Sequence, residues 1–164
     1  MIESIAPPHK TTFNSTILRA VQALLLADAE IRNMTGKTKF RNPAMRYALS
    51  EYITITHPEL VDPSYIPRSV AAARILQEEE RNKTGQRWNK LGIRYEHKTP
   101  LSVLHDRMFA VRDDIDAIDR VLTEGFQTAL ITHEEDKAIN AAGYRSSVPQ
   151  DGSDRYQAAG IEFV

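Results

Sequence analysis

The chain contains no cysteine, and that absence removes a disulfide framework, a thiolate zinc site and a cysteine nucleophile together. Any metal would have to be held by His, Asp, Glu or Asn. Long apolar runs are missing as well. The most apolar stretch, 17–29, is interrupted by Arg19, Gln22 and Asp28, which makes it too short and too polar to cross a bilayer. The same residues break the hydrophobic region that a signal peptide needs ahead of Ala27-Asp28-Ala29, so a cytoplasmic protein is expected. Glycine is scarce, with 7 residues, and no Gly-rich phosphate loop, dinucleotide fingerprint or Ser in a nucleophile elbow is present. Kinase, dehydrogenase and serine hydrolase readings therefore have no support. No repeat with a period of roughly 20–50 residues is visible.

What remains is an ordinary globular composition: 164 residues, 41% hydrophobic and 26% charged, which predicts a single domain able to bury its own core. The net charge of -1 conceals a division. Lys plus Arg outnumber Asp plus Glu by 10 to 5 over residues 67–112, are outnumbered 4 to 11 over 113–164, and nearly balance at 7 to 6 over 1–66. A basic middle beside an acidic end either draws a polyanion onto one part of the surface or is neutralised within the fold.

Apolar spacing predicts helices near 15–31, 43–56, 67–83, 100–111, 114–124 and 133–142. Asn14 and Ser15 are candidate caps for the first, whose Ile17, Leu18, Val21, Leu24 and Leu25 form one stripe. Asn42 before Pro43 is a start signal for the second, which Pro58 and Pro63 end. Thr99 and Pro100 open the fourth, Asp113, Asp114 and Asp116 suit the positive end of the fifth, and Thr132 with Glu135 forms a capping box for the sixth. Period-two alternation over 92–97 and an apolar run over 126–131 predict two strands, with a weak edge strand at 160–164 and a turn at Pro149-Gln150-Asp151-Gly152. The expected fold is mainly α (α+β): a helical N-terminal half with a small two- or three-stranded antiparallel sheet in the C-terminal half. Its expected parts are a helical region 13–84, a strand–helix–strand–helix region 86–143 and a tail 144–164, with residues 1–12 and the tail loose.

The densest set of reactive side chains is Tyr95-Glu96-His97-Lys98-Thr99-Pro100, at a strand end where side chains emerge from a sheet. A neutral imidazole takes a proton from water, and a carboxylate holds a divalent cation that stabilises a phosphorane-like transition state. A solvated strand end with three polar residues in a row is the competing explanation. Trp88 between Arg87 and Lys90, followed by Arg94, offers a base-stacking ring with cations for phosphates, or a ring packed at a helix-to-strand junction. His105, beside Leu101, Leu104 and Met108, reads as a core histidine.

The acid–His–x–x–Pro run at Glu96, His97 and Pro100, followed by helices, a second strand and a helix beginning at His133, resembles the first motif and element order of HNH (ββα-metal) nucleases over about residues 92–143. The resemblance implies His97 as general base, Glu96 as a ligand for Mg²⁺ or Mn²⁺, and further ligands from the last helix. That helix offers His133, Asp136 and Asn140 on one face, Asp136 with Asn140 being the preferred pair. The chain departs from the motif in having no Asn in the loop after His97, no terminal His on the last helix, no cysteine knuckle and a longer insertion at 101–125. Glu96-His97-Lys98 also resembles the Glu-x-Lys of restriction-enzyme-like nucleases, which implies a catalytic Lys98, with Asp62 as the upstream acid.

Two functions of different class follow: a metal-dependent nuclease acting on DNA or RNA, with Arg87, Trp88, Lys90 and Arg94 on the nucleic acid, and a non-catalytic helical interaction or regulatory protein that binds a partner through its charged faces. The first requires Glu96, His97 and Asp136 or Asn140 to converge on one cleft. The second requires only an exposed patch.

Overall fold

A computed structural model describes residues 8–35, 43–62 and 64–164. Asn42, Pro63 and residues 1–7, which carried expectations above, lie outside them. The described chain is mainly α: α1 (Pro8–Thr35), α2 (Pro43–Thr56), a 3-10 turn (Pro58–Leu60), α3 (Val70–Asn82), β1 (Ile93–His97), α4 (Leu101–Ala110), α5 (Ile115–Gly125), β2 (Thr128–Thr132), α6 (His133–Ala141) and α7 (Arg155–Ala158). It forms two compact units, one from Met1–Pro58 with Arg107–Thr123 and the other from Glu59–Asp106 with Glu124–Val164.

In the first unit the predicted stripe buries Leu18, Val21 and Leu25, and α2 buries Met45, Leu49, Tyr52 and Ile53. Helix α1 starts at Pro8, so Asn14 and Ser15 lie inside it and do not cap it. A proline in the first turn loses nothing, since its missing N–H is one the helix leaves unused there. Polar ties add direction: Tyr52 donates to Asp119, Gln22 donates to the Arg112 carbonyl at 3.1 Å, and the Arg32 guanidinium lies 4.2 Å from the centre of the Phe109 ring. Asp114 caps α5 by accepting from the N–H groups of Asp116 and Ala117.

The second unit is built on the antiparallel pair β1–β2, in register from Ile93 opposite Thr132 to His97 opposite Thr128. Every residue of β2 is buried. Residues Pro67 and Ser69 flank it, the Leu130 N–H donating to Pro67 and the Leu130 carbonyl accepting from Ser69, and Phe163 bridges to Ser69 beyond. Helix α3 begins at Val70 because Ser69 is its cap, and it ends at Lys83, in the left-handed conformation at φ 50°. Helix α4 starts one residue late, with Pro100 and not Thr99 supplying the first carbonyl, to Leu104.

The stretch 144–164 is not a loose tail. Tyr156 and Ile161 join Ala129, Ile131 and Ile139 in one buried cluster, with Tyr144 and Phe163 packed against it. The short helix α7 and its cap Asp154 escaped the sequence reading because four residues give no periodicity to detect.

Candidate functional site

Adjacent residues of a strand point to opposite faces, and β1 divides the reactive cluster accordingly. Glu96 lies on the face shared by Arg94 and Lys98; His97 lies on the face of Ile93 and Tyr95. The carboxylate and the imidazole of the Glu96-His97 pair therefore leave the strand in opposite directions. His97 packs edge-on against the Phe126 ring, with centroids 4.7 Å apart.

Glu96 is held by Arg155, a residue that no local sequence pattern singles out. Arg155 is 1% exposed. It ion-pairs with the Glu96 carboxylate, donates to the His97 carbonyl, and reaches the Tyr144 carbonyl at 3.0 Å. Tyr156 donates to the Glu96 carbonyl at 3.0 Å, and burial pushes its phenol well above the usual range. Lys98 lies 3.6 Å from Asp154, the cap of α7. Asp62, expected as an upstream acid, organises the turn after the 3-10 segment, its carboxylate accepting from the Ser64 N–H and its carbonyl from Tyr65 and Ile66.

On α6 the preferred pair does come together, with Asn140 donating to Asp136 at 3.4 Å, but the other Asp136 oxygen takes a 2.8 Å ion pair from Arg94. His133 is half-buried at the start of the helix. Both carboxylates that the resemblance implies as ligands are thus neutralised by arginines, and among the described residues no group of three or more His, Cys, Asp or Glu side chains is placed to hold a metal ion. A divalent cation at Glu96 would have to displace a buried guanidinium. The residues present do not fit Mg²⁺ or Mn²⁺ in the arrangement the resemblance implies.

Arg87 and Lys90 are exposed, while Trp88 is half-buried, packed against Ile66, Ile93 and Leu130 and stacked on Tyr95 with ring centroids 5.6 Å apart. Its ring is committed to the protein. His105 is half-buried beside Asp106.

One cleft in the second unit was missed by sequence reasoning. It encloses about 390 Å³ between the 3-10 segment, the start of β2 and α7, and Lys98 and Asp154 stand among its lining. Its walls come from four separate stretches of chain, so no local pattern announces it. No protein-family model, curated protein or solved structure matches this chain. No helix among the described residues is long and apolar enough to cross a membrane.

Proposed function

We propose that this chain is a non-catalytic interaction protein whose second unit carries the partner-binding surface. The observation that supports this reading is the Glu96–Arg155 pair, because both nuclease resemblances depend on Glu96 and its carboxylate is already neutralised by a buried cation. A partner surface needs no such carboxylate; it needs accessible groups, and Arg87, Lys90, Lys98 and Glu134 are exposed on this unit. The nuclease reading keeps one favourable observation: Glu96 and Lys98 share a face of β1, and the Asp154 carboxylate is 3.6 Å from Lys98.

A cleavage assay separates the two. Wild type, Glu96→Gln and His97→Ala are incubated with single- and double-stranded DNA and RNA in the presence of Mg²⁺ or Mn²⁺. The expected result is no cleavage by wild type beyond the metal-only control. Cleavage that both folded variants lose would overturn the interaction reading. Nucleic acid bound without cleavage, with affinity falling steeply as salt rises, would identify the partner as a polyanion held by phosphate contacts.

A further inference from the structure

We propose that the cleft of the second unit binds a zwitterionic α-amino acid with a bulky apolar side chain; this goes beyond the interaction reading above and does not depend on it. The cleft volume of about 390 Å³ lies at the small end of the roughly 300–1,000 Å³ that small-ligand sites span. Every residue of its lining belongs to the second unit.

Much of the lining is apolar, and its two buried hydroxyls are already used. Thr128 donates to the Leu60 carbonyl, and Tyr156 donates to the Glu96 carbonyl at 3.0 Å. Neither hydroxyl has a proton left for a ligand, which disfavours a sugar or polyol. The Tyr156 ring is tilted against Phe163 with centroids 5.2 Å apart, and Leu60, Ile66 and Ala129 extend this surface. An alkyl or aryl group gains by leaving water for such a wall.

Lys98 and Asp154 specify the other end of the ligand. Their side chains are 44% and 35% exposed, and the Lys98 Nζ stands 3.6 Å from one Asp154 oxygen. That is an ion pair too long to be a hydrogen bond, so both groups keep hydrogen-bonding capacity for a ligand. The other Asp154 oxygen accepts from the N–H groups of Tyr156 and Gln157, at 2.9 and 2.8 Å, which fixes the carboxylate in place. Glu59, the third charged residue of the lining, has a partner of its own. The groups offered to a ligand are therefore one charge of each sign, side by side. A simple anion would gain Lys98 but oppose Asp154, and a simple cation would gain Asp154 but oppose Lys98. A carboxylate and an ammonium on one carbon meet both, turning one loose pair into an alternating set of four charges. The zwitterionic head and the apolar wall together describe an amino acid such as leucine or phenylalanine.

The test titrates the full ¹⁵N-labelled chain near neutral pH with L-leucine, L-phenylalanine, glycine, 2-phenylethylamine, which lacks the carboxylate, and 3-phenylpropanoate, which lacks the ammonium. Saturable shifts of the Ala129 and Phe163 amides are expected with leucine or phenylalanine at a Kd below about 10 mM. Each singly charged analogue is expected to bind about fivefold more weakly or worse, since it forfeits one ion pair and leaves a charge opposed. Glycine, without the apolar body, is expected to give no saturable shift. Lys98→Gln should erase the advantage of phenylalanine over 2-phenylethylamine. Asp154→Asn, whose amide oxygen still caps α7, should erase its advantage over 3-phenylpropanoate. The analogue series is read on wild type and so stands whether or not either variant folds. No saturable binding of leucine or phenylalanine, equal affinity for a singly charged analogue, glycine binding as well as phenylalanine, or shifts that spare Ala129 and Phe163 would each overturn the proposal.

Discussion

The Arg155 guanidinium and the Glu96 carboxylate meet across 59 residues of sequence, with the guanidinium 1% and the carboxylate side chain 26% exposed. Arg155 also satisfies two backbone carbonyls, so it ties α7 and the residues before it to the end of β1. Truncating one member of a buried pair leaves the other charge uncompensated, which costs about 3–5 kcal/mol. Arg155→Ala is expected to lose stability in that range. Glu96→Gln is expected to lose less, because Glu96 is partly solvated and the amide oxygen still accepts a hydrogen bond. Urea unfolding followed by Trp88 fluorescence reports on the same unit, and a wild-type midpoint for Arg155→Ala would refute the structural role.

That pair also marks the boundary of what the sequence discloses. The stripe from Leu18 to Leu25, the Thr132–Glu135 box and the alternation before His97 are local patterns; the last two give their elements to within a residue, whereas the stripe gives its helix but not its start, which lies at Pro8 and not near residue 15. The partners of Glu96 and Asp136 are set by topology instead. Nothing near Arg155 indicates that it will be buried, and nothing near Asp136 points to Arg94. A carboxylate next to a histidine reads as chemistry until its cation is known, and that cation comes from another part of the chain. The division of Glu96 and His97 between opposite faces was legible from strand parity alone; the commitment of each side chain was not.

A second prediction concerns Ser69, whose hydroxyl accepts from the Ala72 N–H at 3.1 Å and donates to Glu135 at 2.7 Å. The same Glu135 oxygen accepts from the Thr132 N–H, so one carboxylate joins the starts of α3 and α6. Ser69→Ala removes a cap and leaves part of that network open, at about 1–2 kcal/mol. Glu135→Ala is expected to cost about 1 kcal/mol or more. In a double-mutant cycle the two losses should fall short of adding, by about 0.5 kcal/mol or more. Strict additivity would show the shared hydrogen bond to carry no energy.

Gly125, the last residue of α5, is buried, and a Cβ there would sit 2.5 Å from the Leu104 Cδ1. Its backbone does not need positive φ, so the requirement is for space. Gly125→Ala should gain some helix propensity yet lose about 1–3 kcal/mol to overpacking against a fully buried leucine. Gly125→Ala combined with Leu104→Val, which withdraws the clashing methyl, should recover part of the loss. A thermal scan showing Gly125→Ala as stable as wild type would remove the steric explanation for glycine at this position.

Tyr52 and Tyr156 predict the alkaline limit of the fold. Burial, reinforced for Tyr52 by its hydrogen bond to the Asp119 carboxylate, raises both phenols far above their ordinary value of about 10. Above that pH the unfolded chain gives up these protons while the folded chain keeps them, so the folded state binds more protons and stability falls as pH rises. The contribution is fully present below about pH 10 and is lost as pH climbs toward the folded values. Each such tyrosine adds a slope of about 1.4 kcal/mol per pH unit. Tyr52→Phe should cost roughly 1–2 kcal/mol near neutrality by orphaning Asp119, and should then remove one proton from the alkaline slope. Tyr156→Phe should do the same for the second unit, losing the bond to the Glu96 carbonyl. Urea midpoints for wild type and both variants between about pH 8 and 11 test this directly. If both variants kept the wild-type slope, the two phenols would not be held protonated by the fold, and the alkaline loss of structure would have to arise elsewhere.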